Sequence, residues 1–276
     1  MKKLIKLAWD ELVRGGFFTS VCALATLYSF SIISGKSVTP VFALIVFLIT
    51  ISIYFYNFIG EVNEDLRDDH EEQKYVKKHK FLYYLLIGVS IVLSLYLVLK
   101  FGSTLSIYFT FIFIILGILY TKGLKQLSKI IPGFKDIFVI LCWNLLAPFF
   151  YIFHSYQFDA ALLVFMLFAL SRDWVDANYS DLKDIRVDKN DGLKTFANIL
   201  GVNKLMNSIY ISSFISVVII VLGTSFNFFP NFALILILPI ISTLIFIMIS
   251  RKIKNYSTLF VDSEAFLWLI LLYFLK

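Results

Sequence analysis

The 276 residues are 59% hydrophobic and 16% charged, with a mean hydropathy of +0.84. A soluble domain has about 45–50% apolar and 25% charged residues, so the composition excludes a soluble globular protein and describes an integral membrane protein. The net charge of +6 follows from membrane topology, as argued below, and calls for no nucleic-acid partner.

The chain starts "MKKLIKLAWDELVRGG". Asp10, Glu11 and Arg14 interrupt it before any long apolar run, which fits an amphipathic surface helix and not a cleavable signal. A helix needs about 20 apolar residues to cross a bilayer. Runs of that kind lie near 17–34, 38–60, 81–99, 103–120, 137–153, 205–229 and 231–250. Two weaker ones follow the same logic. Residues 156–172 carry Asp159 and end at Arg172, and 258–275 carry Asp262 and Glu264 near their start. Lipid offers no partner to the backbone, so all are read as helices. The expectation is an all-α bundle of nine transmembrane helices forming a single domain over 1–276. Cys22 and Cys142 lie in apolar runs and read as small buried hydrophobes, not as a disulfide or metal pair. Pro148 and Pro239 fall within spans as possible kinks. Asn144 suits either a cavity wall or a bond to a neighbouring helix. Trp174 reads as an interfacial anchor at a helix end, and His154 as solvated at the outer surface.

Lys and Arg in the loops test the helix count. With the N-terminus cytoplasmic and the C-terminus outside, the cytoplasmic segments are the N-terminus, 61–80, 121–136, 172–204 and the loop after 250. They hold all but Lys36, Lys100 and Lys276 of the 25 basic residues. Lys135 is counted here as one of the loop charges. The outer connections are short, such as "SGKSVTP" and "KFGS", so aqueous chemistry is expected at the cytoplasmic face.

Two acidic clusters lie on that face. In "NFIGEVNEDLRDDHEEQ", Asn57, Glu61, Asp65 and Asp69 are spaced i, i+4, i+8, i+12 and form one stripe of a helix. In "DLKDIRVDKNDGLKT", Asp181, Asp184 and Asp188 are spaced i, i+3, i+7, again one face, with Asp191 and Gly192 ending the helix. Like charges at such spacing repel and are relieved by a cation. Mg²⁺ takes oxygen ligands, often one or two carboxylates, waters and substrate phosphates. Two such stripes would suit Mg²⁺ ions bridging a prenyl diphosphate, whose tail wants an apolar slot between helices. Lys125, Arg186 and Lys194 could add positive charge at the leaving diphosphate. A solvated charged loop is the bland alternative, and two clusters at helical spacing on one membrane side weigh against it.

Here the sequence resembles the UbiA superfamily of intramembrane prenyltransferases. That family has nine transmembrane helices and two Asp-rich motifs, typically NDxxDxxxD and a DxxDxxxDxxxG stretch. Asn57, Glu61 and Asp65 match the first. Asp181, Asp184, Asp188 and Gly192, followed by Lys194 and Thr195, match the second. "YTKGLK" supplies Tyr120 and Lys125, matching the family's Tyr–Lys pair after the fourth helix. Two departures are Phe58, where many members have Asp, and Glu61 in place of Asp. The resemblance implies Mg²⁺-dependent transfer of a prenyl group from its diphosphate to a lipophilic acceptor within the cell membrane. A quinone precursor or a prenylated glycerol phosphate are the acceptor classes it suggests. It further implies that Asn57, Glu61, Asp65, Asp184 and Asp188 hold the metal, with Asp69 and Asp181 contributing. Tyr120 and Lys125 would bind diphosphate oxygens. Three rivals remain on the residues alone. A transporter would place its carboxylates near the bilayer centre, and here they sit at one face. A CDP-alcohol phosphotransferase wants a DGxxAR-type signature, which the sequence lacks. A non-catalytic member is kept open by Glu61.

Overall fold

A computed structural model of the chain describes residues 17–63, 70–253 and 258–276, the side chains of 61–63 and 70–76 excepted. The described residues are helical throughout, with no strand among them. In chain order the helices are α1 (Phe17–Ser34), α2 (Pro40–Asn63), α3 (His70–Phe101), α4 (Thr104–Lys122), α5 (Phe134–Asn144), α6 (Leu146–Phe153), α7 (Ala160–Asn190), α8 (Phe196–Ser225), α9 (Ile237–Ile253), α10 (Leu259–Asp262) and α11 (Glu264–Leu275). Turns of 3₁₀ helix at Leu124–Lys129 and Asn231–Leu236 precede α5 and α9. Seven segments are long and apolar enough to cross a membrane: 17–34, 40–60, 77–101, 104–122, 134–153, 196–225 and 231–253. These are the seven clear runs expected from the sequence. The two weaker runs became the first half of α7 and the α10–α11 segment. α11 alone has 12 residues, about 18 Å of helix, short of a hydrocarbon core of about 30 Å.

The chain packs as two compact units. One comprises the described residues within 1–24, 39–125 and 152–155, the other those within 25–38, 126–151 and 156–276. In the first, α2 packs against α3 and α4. The α2–α4 approach is close because glycines line it. A Cβ on Gly117 would stand 2.6 Å from Ile53 Cγ1, and one on Gly60 2.4 Å from Thr121 Cγ2. Against α3 the contact is aromatic, with the Phe55 and Tyr83 rings 4.8 Å apart. Ser103 caps α4 in a reciprocal capping box with Ser106, which starts that helix just after α3 ends. His154, expected in solvent, accepts the Thr39 N–H at 3.2 Å instead.

In the second unit α7 packs against α5 and α8. Its first half buries Leu162, Phe165, Phe168 and Ala169 and exposes Leu163, Leu167 and Leu170. The breaks in this unit have separate causes. Pro148 lacks an N–H and its ring crowds the carbonyl four residues back, at Asn144, which is where α5 ends. Gly201 takes φ +70° and bends α8, a kink that the hydropathy pattern does not reveal. Pro239, expected to kink a span, lies in the first turn of α9, where its missing N–H is no loss. Trp174 lies inside α7, not at its end. Its ring is 5.0 Å from that of Phe196 and its Nε1–H reaches Ser208 Oγ at 3.4 Å.

Candidate active site

Of the first acidic motif, Asn57 belongs to the described side chains. It is half-buried on α2, and Thr121 Oγ1 donates to its Oδ1 at 3.4 Å. The glycine contacts at Gly60 and Gly117 fix that register, since they let α4 reach α2 one turn on either side. Tyr120 and Lys125, at the end of α4 and in the turn after it, are half-buried in the same unit. The Glu61 side chain, Asp65 and Asp69 lie outside the described residues.

The second motif forms the C-terminal part of α7, which runs unbroken through Asp181, Asp184 and Asp188 to Asn190. Gly192 at φ +72° then turns the chain, and the Leu193 N–H closes back on Asp188 O at 2.8 Å. The i, i+7 pair is drawn together as helical spacing predicts. Both carboxylates meet one cation, Lys135, whose Nζ donates to Asp181 Oδ1 at 2.9 Å and to Asp188 Oδ2 at 3.0 Å. The side chains are only 15%, 7% and 5% exposed for Lys135, Asp181 and Asp188, so solvent screens these pairs little. Asp184, half-buried, sits between them in sequence on the same helix. Arg186 is two residues from both Asp184 and Asp188, so it projects from another side of α7. It is exposed, as is Lys194.

Sequence reasoning missed Lys135 as a site residue. It enters through the loop that follows Gly192. Lys194 N–H donates to Ser128 O at 2.9 Å and Gly133 N–H to Lys194 O at 2.7 Å. Lys135 N–H donates to Ser128 Oγ at 2.8 Å, and Phe196 N–H to Asp136 Oδ2, also at 2.8 Å. These bonds lock the start of α5 onto the end of the motif. Gly133 makes the approach possible: it has φ +70°, and a Cβ there would lie 2.3 Å from the Phe196 ring. The signal available in the sequence was Pro132–Gly133, a turn, followed by a Lys–Asp pair at a helix start.

Carboxylates crowd one another at this end of α7. Asp136 is buried against Asp181. Asp136 Oδ1 and Asp181 Oδ2 are both buried, and the two carboxyls hydrogen-bond each other through a shared proton. Burial pushes the Asp188 carboxyl above its ordinary range; Lys135 opposes that push and Asp181 adds to it. Asp188, in the last turn of α7, also meets the negative end of that helix's macrodipole. Asp136, Asp181 and Asp188 crowd around Lys135, an arrangement that further positive charge near the motif would relieve. The donors are all hard oxygens, which suits Mg²⁺. Among the described residues no three His, Cys, Asp or Glu converge as a closed cage. An open site completed by waters and phosphate oxygens is the habit of Mg²⁺, so the residues fit that ion.

Further along α7 the same unit holds a cleft lined mainly by Thr26, Leu27, Phe30, Trp143, Phe165 and Ala169, with Asn144 and Asp173 as its polar members. The Phe30 and Phe165 rings stack at 4.2 Å. Asn144 Nδ2 donates to Met166 O at 2.7 Å, so it joins α5 to α7 and also lines the cleft. Asp173 lies eight residues before Asp181, about 12 Å along the helix.

Comparison with known proteins adds the following. The model of the UbiA prenyltransferase family matches residues 16–270. No curated protein matches the sequence. Three solved structures share the fold. A UbiA homologue from Aeropyrum pernix K1, in its apo form, superposes with a TM-score of 0.70 at 12% identity, covering 91% of this chain and 96% of that one. A UbiA homologue from Archaeoglobus fulgidus bound to DMAPP and Mg²⁺ gives 0.64 at 15% identity, with 96% and 97% covered. A digeranylgeranylglyceryl phosphate synthase gives 0.59 at 18% identity, with 99% and 96% covered. At these identities the likeness is one of fold.

Proposed function

The chain belongs to the UbiA prenyltransferase family, and we propose that it transfers a prenyl group from a prenyl diphosphate to a lipophilic acceptor inside the membrane, with Mg²⁺ as cofactor. The observation that carries this reading is the crowding of Asp136, Asp181 and Asp188 around Lys135, at the helix where the sequence matches the family's second motif. The homologue with bound DMAPP and Mg²⁺ supports the choice of donor and metal. The acceptor is a quinone precursor or a prenylated glycerol phosphate, and likeness to a digeranylgeranylglyceryl phosphate synthase favours testing the second first. The whole chain, 1–276, serves as one domain of nine transmembrane helices, with α7 and the α10–α11 segment completing the seven clear spans. Its N-terminus and acidic motifs face the cytoplasm and its C-terminus lies outside, a reading supported by the placement of Lys and Arg.

In this mechanism Asn57, Glu61, Asp65, Asp184 and Asp188 hold the metal–diphosphate, with Asp69 and Asp181 as further contributors. Tyr120 and Lys125 donate to diphosphate oxygens, and Arg186 and Lys194 add positive potential from the exposed side. Bound Mg²⁺ supplies Lewis-acid stabilisation of the leaving diphosphate. The C1–O bond breaks, its electron pair leaves with the diphosphate, and the acceptor nucleophile forms the new bond to C1 while losing its proton. The chain's apolar interior keeps water from capturing the prenyl group first. The cleft walled by Leu27, Phe30 and Phe165 offers the kind of surface an isoprenoid tail needs.

The test is purified protein in lipid nanodiscs, given geranylgeranyl diphosphate, Mg²⁺ and a panel of aromatic and glycerol phosphate acceptors, with products read by mass spectrometry. One acceptor gaining the mass of the prenyl group is the expected result. Products from no acceptor, together with no binding of the prenyl diphosphate, would sink the proposal.

A further inference from the structure

We propose that Lys135 is a built-in cation of the second motif, standing where a divalent ion would otherwise bridge Asp181 and Asp188, so that this chain loads one divalent ion fewer on α7. This rests on the function proposed above.

Geometry carries the argument. The ammonium touches both carboxylates at hydrogen-bonding distance, 2.9 and 3.0 Å, and a cation in that place excludes a second one by Coulomb repulsion. It is not a loose surface lysine. Its own backbone is bonded to Ser128 Oγ, Gly133 is bonded to Lys194, and its neighbour Asp136 is bonded to Phe196. The loop that ends the motif therefore delivers the lysine to the motif. A lysine held this way costs no metal dehydration and does not depend on the metal concentration, whereas Mg²⁺ gives up its waters reluctantly. In the function proposed above, Asp184 and the second oxygen of Asp188 stay ligands of the metal that carries the diphosphate. Lys135 is thus a positioning residue: it fixes Asp181 and Asp188 before substrate arrives.

The test counts metal ions. Mn²⁺ replaces Mg²⁺, and the number bound per chain is read by electron paramagnetic resonance in the presence of a thiolodiphosphate analogue of geranylgeranyl diphosphate. Lys135→Met is expected to bind one more Mn²⁺ than the wild type, and Lys135→Arg the same number as the wild type. Lys135→Met should also gain more thermal stability from added Mn²⁺ than the wild type does. Lys135→Gln repeats the count if the methionine variant does not fold. An unchanged count in the methionine or glutamine variant, with Mn²⁺ merely bound more tightly, would mean that metal displaces the lysine and overturns the inference. A wild type that binds neither Mn²⁺ nor the analogue overturns the proposed function, and the inference with it.

Discussion

The two ends of α7 pair lysine with aspartate in opposite ways. At the start, Asp159 caps the helix. Its Oδ1 accepts from Leu162 N–H at 3.0 Å and from Tyr151 Oη at 2.9 Å, and its Oδ2 pairs with Lys36. Lys36 in turn lies 4.7 Å from the Tyr151 ring centre. Both oxygens are partnered, the charge is balanced one to one, and the carboxylate sits at the positive end of the helix dipole. At the other end, one lysine serves Asp181 and Asp188, Asp136 lies hydrogen-bonded against Asp181, and the dipole opposes Asp188. A satisfied cluster holds a fold together. A cluster in which buried carboxylates crowd one another is the kind of place the proposed function asks of a cation site.

The contrast can be broken by substitution. Asp184→Asn, at the open end, should lower kcat/KM for prenyl transfer by at least about a hundredfold while leaving the melting temperature nearly unchanged; steady-state kinetics and a thermal scan read both. Gly133→Ala forces a side chain into the left-handed region and against Phe196, at a cost of about 1–3 kcal/mol. Because it also shifts Lys135, activity and stability should fall together. Asp159→Ala removes a helix cap worth about 1 kcal/mol, seen as a lower melting temperature with transfer activity retained. Lys36→Met should have the smallest effect, below about 1 kcal/mol, since the pair is partly exposed and Asp159 keeps its other two donors.

Much of this was legible in the sequence. Composition and the spacing of basic residues identified a helical membrane protein and its seven clear spans, because lipid leaves the backbone no other solution. The i, i+3, i+7 spacing placed Asp181, Asp184 and Asp188 on one side of a helix, and Asp191–Gly192 marked its end, because both are local rules. Lys135 was not legible as a partner. It lies 46 and 53 residues from the carboxylates it meets, and no periodicity reports a contact made through a loop. The bend at Gly201 was hidden because an apolar run reads the same whether straight or kinked. Pro239 was misjudged because the 3₁₀ turn before it moved the helix start.

The most direct test of the account is release of diphosphate from geranylgeranyl diphosphate by the purified protein, with Mg²⁺ or with EDTA, in the wild type, Asp184→Ala, Asp65→Ala and Asp159→Ala. The account predicts release that needs Mg²⁺, is lost in the first two variants and survives in the third. Release that persists in EDTA, or that Asp159→Ala abolishes while Asp184→Ala leaves it intact, would contradict it.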